Sequence, residues 1–220
     1  ADISGIKREI AYFMRRLYRQ GLTTTSGGNI SAISKGGLIL MTPSATDKGR
    51  MRASEIIVME RSGKVVDGAL PTTIESGMHM AIYRERTDVA AIVHAHPVTA
   101  SAFSASSLQI RTDLIAESHA VVGKIGYADY RMMGSKPLAE LVASIASNSD
   151  CIIMKNHGVI ATGKNLLQAF DRLEVLEAAA KMTMIHEGAL KGKTSALSQE
   201  EMSELDRYKL EAGSARNQKE

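Results

Sequence analysis

The run DVAAIVHAHP, residues 88–97, limits this chain's folding options more than any other stretch. A short continuous apolar segment bounded by Asp88 and Pro97 reads as a strand covered on both faces. Side chains of a strand alternate, so His94 and His96 point the same way. Pro97 has no amide hydrogen to continue a ladder, and the strand is expected to stop there. Two imidazoles on one face at a strand end pack a core poorly and hold a ligand well.

The segments around this strand are of both kinds. IKREIAYFMRRLYRQGL sets Ile6, Ile10, Phe13, Met14 and Leu17 on one stripe, which predicts an amphipathic helix closed near Gly21. TTTSGGNISAI and GGLILMTPSATDKG read as turns with short strands, and EIIVMERSGKVVDG as a hairpin about Ser62–Gly63. TIESGMHMAIYRER is a short helix and SKPLAELVASIAS an amphipathic one. DCIIMKNHGVIATG is a strand–turn–strand, and Asn165 caps a long helix through residue 190. Residues 97–107 are a candidate helix start, while residues 108–130 carry no clear period. The chain reads as one α/β domain over residues 1–190. A polar, partly helical tail over 191–220 belongs to the same domain. No G-x-G-x-x-G follows a strand, which argues against a dinucleotide fold.

Composition removes several function classes. Aromatic residues make up only 4% of the chain and the net charge is +3, too little for the interleaved basic and aromatic footprint of nucleic-acid binding. No apolar run approaches a membrane span and no secretory h-region opens the sequence. Cys151 is the single cysteine, which excludes an internal disulfide and reads as a small buried hydrophobe. A cytoplasmic protein acting on a small molecule is expected.

The histidines suggest a metal centre. Catalytic zinc usually takes three protein ligands and keeps one position open. His94 and His96 supply two. His157 follows the apolar run Ile152–Met154, beside Gly158 where the chain can turn tightly, and is the candidate third. Zn2+ suits these ligands, with Mn2+ or Co2+ as substitutes. Glu75, expected in the first helical turn after Pro71, is either a carboxylate favoured by the helix dipole or a metal-proximal acid/base group. His79 reads as a packed helix histidine, and His186 as a cation suited to a helix end. Lys155, Lys164 and Lys181 read as solvated charges. Three polar loops resemble an anion cradle: SGGNIS with the amides of Ser26 to Asn29, TPSAT with hydroxyls at Thr42, Ser44 and Thr46, and PTT with Thr72 and Thr73.

In order and spacing, SGGNIS, LILMTPSA, PTTIESGMHMAIYRERTDVAAIVHAHP and NHGVIATGKNLLQAFDRLEVLE resemble the class II, metal-dependent sugar-phosphate aldolase/epimerase family over about residues 5–187. The closest motifs are those of L-fuculose-1-phosphate aldolase-like enzymes. The resemblance implies a three-layer α/β/α fold with a mainly antiparallel central sheet, and a C4 homotetramer with active sites between subunits. It implies that His94, His96 and His157 are metal ligands, joined by Glu75 as catalytic carboxylate beside the metal. Gly28, Asn29, Ser44, Ala45, Thr72 and Thr73 match phosphate-binding positions. Tyr208 resembles a tyrosine that reaches a neighbouring subunit's site.

The implied reaction is reversible cleavage of a ketose 1-phosphate to dihydroxyacetone phosphate and a short aldehyde. Related chemistries are dehydration of methylthioribulose 1-phosphate, decarboxylation of a 3-oxo-tetronate 4-phosphate, and 4-epimerisation, where the family pattern has aspartate in place of Glu75. A non-enzymatic adducin-head-like module would lack the three histidines.

Overall fold

The structure is a computed structural model that describes residues 2–191, 193 and 195–217, the last six by their backbone alone. The parts of the expected tail at 192, 194 and 218–220 lie outside the described residues.

The strands are β1 (Asn29–Ile33), β2 (Ile39–Met41), β3 (Ile57–Met59), β4 (Val65–Asp67), β5 (Ala91–Ala95), β6 (Ile125–Ala128), β7 (Cys151–Met154) and β8 (Gly158–Gly163). They form one sheet in the order β4-β3-β2-β1-β5-β8-β7-β6. Neighbours run antiparallel, except that β6 and β7 are parallel. A parallel pair cannot be joined by a tight turn, and here an α-helix makes the crossover.

The helices are α1 (Ile3–Arg19), α2 (Ser76–Glu85), α3 (Val98–Phe103), α4 (Ala116–Val122), α5 (Lys136–Ala146), α6 (Leu166–Gly188) and α7 (Gln199–Asn217). Their starts follow capping chemistry. The Asp2 carboxylate accepts from the Gly5 amide at 2.6 Å, and Asn165 Oδ1 accepts from the Gln168 amide at 2.9 Å. Ser135 Oγ accepts from Leu138 at 3.3 Å, with Pro137 in the first turn of α5, the crossover helix. The α1 stripe of Ile6, Ile10, Phe13, Met14 and Leu17 is buried, as its period predicts.

Strand alternation divides the core in two. Ala91, Val93 and Ala95 of β5 pack with Leu17 of α1 and Phe170 of α6. Ile92 joins the other cluster, with Ile82 of α2 and Val142 of α5. His94 has the parity of Ile92, so it faces the α2 side. β5 is buried at every position because it is central: β1 lies on one side and β8 on the other.

The unperiodic stretch 108–130 contains α4 and β6. The tail returns over this region. The Leu197 amide donates to the Asp113 carbonyl at 2.9 Å, and His119 meets Asp206 of α7 at 3.1 Å. Among the described residues, no helix is long and apolar enough to cross a membrane.

Candidate active site

His94 is the next-to-last residue of β5, pairing with Asn29 of β1 and with Ile160 of β8, and it is wholly buried. Its Nδ1 lies 2.9 Å from the Val159 carbonyl oxygen. A carbonyl only accepts, so Nδ1 carries the proton and Nε2 presents a lone pair. His96 stands just past the strand, its amide donating to the Leu22 carbonyl at 3.1 Å. His157 occupies the turn between β7 and β8. One ring nitrogen from each of the three histidines can serve as a ligand atom, and these nitrogens all lie within 4.8 Å of one another.

Glu75 precedes α2 at its N-cap position, where its side chain makes no capping hydrogen bond. Of the two readings of Glu75, the geometry fits the second: the carboxylate turns away from its helix and into the histidine cluster. Oε2 is 3.1 Å from His94 Nε2 and Oε1 is 3.0 Å from His157 Nε2. These approaches lack hydrogen-bond alignment, and Glu75 Oε1, His94 Nε2 and His157 Nδ1 are buried without a hydrogen-bond partner. Buried polar atoms are rarely left so. Three imidazoles and a carboxylate whose free lone pairs converge fit a divalent cation, by ligand type and by number. Asn29 orients the acid, donating from Nδ2 to Glu75 Oε2 at 2.8 Å.

The charges are strongly coupled. Burial disfavours the Glu75 carboxylate, but His94 and His157 outweigh it and hold the acid well below the usual carboxylate range. Burial opposes protonation of His94 as well, and Glu75 reverses the balance upward. His96 is pushed down to about 4 by burial, then by His94 and His157. His79 lies fully buried behind the cluster and is pushed down to about 3, mainly by burial. Its Nδ1 is 2.7 Å from Ser31 Oγ, which also meets the Tyr83 hydroxyl at 2.7 Å.

A cavity of about 370 Å3 opens beside these groups, lined by the Ser26–Asn29 turn, Ser44, Lys48, Thr73, Glu75 and two of the histidines, His96 and His157. Gly28 has φ +68°, and a Cβ there would stand 2.7 Å from the His94 carbonyl oxygen, so only glycine fits between turn and strand. Thr73 Oγ1 accepts from the Glu75 amide at 3.3 Å and lies 3.4 Å from Asn29 Nδ2.

The other loop residues are placed differently. Thr72 does not line the cavity itself; it forms an isolated bridge with Pro43, which does, and so ties two loops together behind the wall. Ala45 is also off the wall; its φ of +50° costs a non-glycine residue about 1–2 kcal/mol. The hydroxyls of Thr42 and Thr46, expected to face an anion, are engaged within the protein. Thr42 Oγ1 accepts from the Ile30 amide at 3.1 Å, and Thr46 Oγ1 accepts from Lys48 at 3.2 Å. Tyr208 is 70% exposed on α7 and does not line the cavity of its own chain.

Two residues escaped the sequence reading. Lys48 in DKG looks like any loop lysine, and only its burial distinguishes it. Glu177 of α6 accepts from the Thr99 and Ala100 amides at 3.1 and 2.8 Å, fastening α3 just beyond His96. Its place on a helix of mixed polarity gave no signal.

Comparison with known proteins agrees with this architecture. The chain is similar to L-fuculose phosphate aldolase of Methanocaldococcus jannaschii, 37% identical over 180 residues, 82% of this chain and 96% of that protein. It is also similar to 3-oxo-tetronate 4-phosphate decarboxylase of Pectobacterium atrosepticum, 33% identical over 76% of this chain and 78% of that one. A solved L-fuculose 1-phosphate aldolase superposes with a TM-score of 0.85 at 31% identity, covering 95% of this chain and 98% of the other. The Class II Aldolase and Adducin N-terminal domain family matches residues 8–184. The chain belongs to that family, and within it to the enzymes.

Proposed function

We propose that the protein is a metal-dependent aldolase that reversibly cleaves a ketose 1-phosphate to dihydroxyacetone phosphate and a short aldehyde. One observation carries this reading: His94, His96, His157 and Glu75 converge beside a cavity whose lining includes the Ser26–Asn29 turn, Ser44 and Thr73. The three histidines with Glu75 would hold a divalent cation, Zn2+ by ligand type, with Mn2+ or Co2+ able to replace it. Such an ion, when bound, supplies Lewis acidity at the carbonyl next to the phosphate-bearing carbon.

The chain's own residues do the rest. The Gly28–Asn29 turn, Ser44 and Thr73 bind the phosphate, with Ala45 and Thr72 shaping the loops behind them. Asn29 orients Glu75 through its amide. Glu75 carries the proton. In cleavage it takes the one released from the C4 hydroxyl as the C3–C4 bond breaks and delivers it to C3 of the three-carbon fragment; in condensation it runs the transfer in reverse. Tyr208 is assigned to the site of a neighbouring subunit in a C4 homotetramer, which suits its exposure. We read residues 1–190 as the catalytic domain, layered as helices, sheet and helices, and the tail from 191 as part of it.

The experiment is incubation of metal-loaded protein with dihydroxyacetone phosphate and acetaldehyde, lactaldehyde or glycolaldehyde. Chelator-sensitive formation of a ketose phosphate supports the proposal. The decarboxylase relative makes a second reading concrete. Carbon dioxide release from a 3-oxo-tetronate 4-phosphate without any condensation would move the assignment there. Water loss from methylthioribulose 1-phosphate, or 4-epimerisation, would move it to those reactions.

A further inference from the structure

Lys48 carries a charge inside the protein that the proposed chemistry does not use. Its side chain belongs to a residue only 1% exposed, yet it stands in the wall of the same cavity as Ser44 and Thr73. A buried ammonium gives up its hydration and is normally compensated by a carboxylate. Here Nζ donates to the Pro43 carbonyl at 2.7 Å and to Thr46 Oγ1 at 3.2 Å. Among the described residues, no carboxylate lies within ion-pair distance of it.

Glu55 is the acid whose field reaches Lys48, but Oε2 of that acid is held by the Arg52 amide at 2.7 Å. A lysine ammonium has three N–H donors, so one remains beyond the two contacts. Burial pushes the amine down to about 8, with Glu55 opposing, which leaves it mostly protonated at pH 7.

The placement is set by two ties. The Lys48 amide donates to the Thr25 carbonyl at 2.9 Å, joining its loop to the start of the Ser26–Gly28 turn. The side chain reaches back to Pro43 and Thr46, on either side of left-handed Ala45. The amine therefore sits under the two loops that offer amides and hydroxyls to the cavity.

We infer that Lys48 is the cationic support of the phosphate cradle, supplying from beneath the Pro43–Thr46 loop the full positive charge that amides and hydroxyls alone do not provide for a phosphate dianion. The inference deepens the proposed function and rests on it only in taking a phosphate as the ligand of this wall. The bland alternative is a clamp: an amine that merely holds Ala45 in its left-handed conformation.

Calorimetric titration of inorganic phosphate into metal-loaded protein separates the two without any turnover. Lys48→Gln keeps donors for Pro43 and Thr46 and drops the charge. The double variant Lys48→Met, Ala45→Gly drops both, but gives position 45 the residue that adopts this backbone freely. Each variant is expected to bind phosphate about ten-fold or more weakly than the wild type, with a flatter salt dependence and unchanged metal content. Wild-type affinity in either variant would reduce Lys48 to a clamp and overturn the inference. So would a wild type that binds no phosphate. If Lys48→Gln fails to fold, the double variant decides. A protein that gives these phosphate results but condenses no aldehyde would refute the proposed reaction and leave Lys48 its role.

Discussion

The imidazole of His94 donates from Nδ1 to the Val159 carbonyl oxygen at 2.9 Å, across the β5–β8 pair. This bond fixes the tautomer and turns the Nε2 lone pair toward Glu75, 3.1 Å away. A metal-ligating histidine is ordinarily held in this way through its other nitrogen. Replacing His94, His96 or His157 with alanine is expected to take bound metal from about one ion per subunit toward none, read by elemental analysis. Thermal stability should fall with it, because a ligand of the native state alone stabilises that state. Full metal content in one of these variants would remove that residue from the ligand set.

Glu75→Gln keeps the shape of the side chain and removes the proton carrier. Turnover is expected to fall about 100-fold or more, with the fold retained by circular dichroism. A rate like the wild type's would leave Glu75 as packing beside His94 and His157.

The histidine cluster, more than the polar loops, was legible in the sequence. Period-2 alternation is enough to put His94 and His96 on one face, and the apolar run before His157 marks a second strand end. The start of α6 at Asn165 was legible as well, since capping is local chemistry. What was illegible depended on partners distant in sequence. Thr42 and Lys48 look like loop residues until β1 and the Thr25 carbonyl are brought beside them. β6 has too little apolar alternation to announce itself, because it is an edge strand with Tyr127 exposed. Glu75 was placed one position too far into its helix, where dipole preference and site chemistry make the same demand on a carboxylate.

Gly158 offers a test of how tightly His96 is held. A Cβ at this position would collide with His96 Cδ2 and lie 2.7 Å from the Ala95 carbonyl oxygen. Gly158→Ala is therefore expected to displace His96 and weaken metal affinity on the order of 10- to 100-fold, measured by competition with a chromophoric chelator. Gly77→Ala is the control, since a Cβ there meets nothing within 4 Å. Equal affinities in the two variants would show that His96 has room to move.

His79 predicts acid sensitivity of the metal-free protein. Its folded pKa is pushed down to about 3 from 6.5. Between those values the unfolded chain binds a proton that the folded chain refuses, so stability rises with pH across that window and is lost as pH falls. The slope from this residue reaches up to about 1.4 kcal/mol per pH unit. His96, pushed down to about 4, acts in the same sense. His94 is raised, so its contribution is complete below 6.5 and disappears above, as pH climbs through its folded value. Urea midpoints from pH 5 to 6.5 are expected to vary less steeply in His79→Gln than in the wild type. Equal slopes would assign the acid sensitivity elsewhere.

The central position of β5 also fixes when the histidine cluster can assemble. His94 pairs with Asn29 from the first part of the chain and Ile160 from the last, and Glu75 and His157 come from segments between and beyond. No local hairpin assembles this set, so a transition state for folding that has yet to close the long-range pairs has nowhere to put an ion. Metal should then act on escape from the native state and not on entry to it, slowing unfolding while refolding proceeds at the metal-free rate. The ion would be a lock fitted after the door has shut.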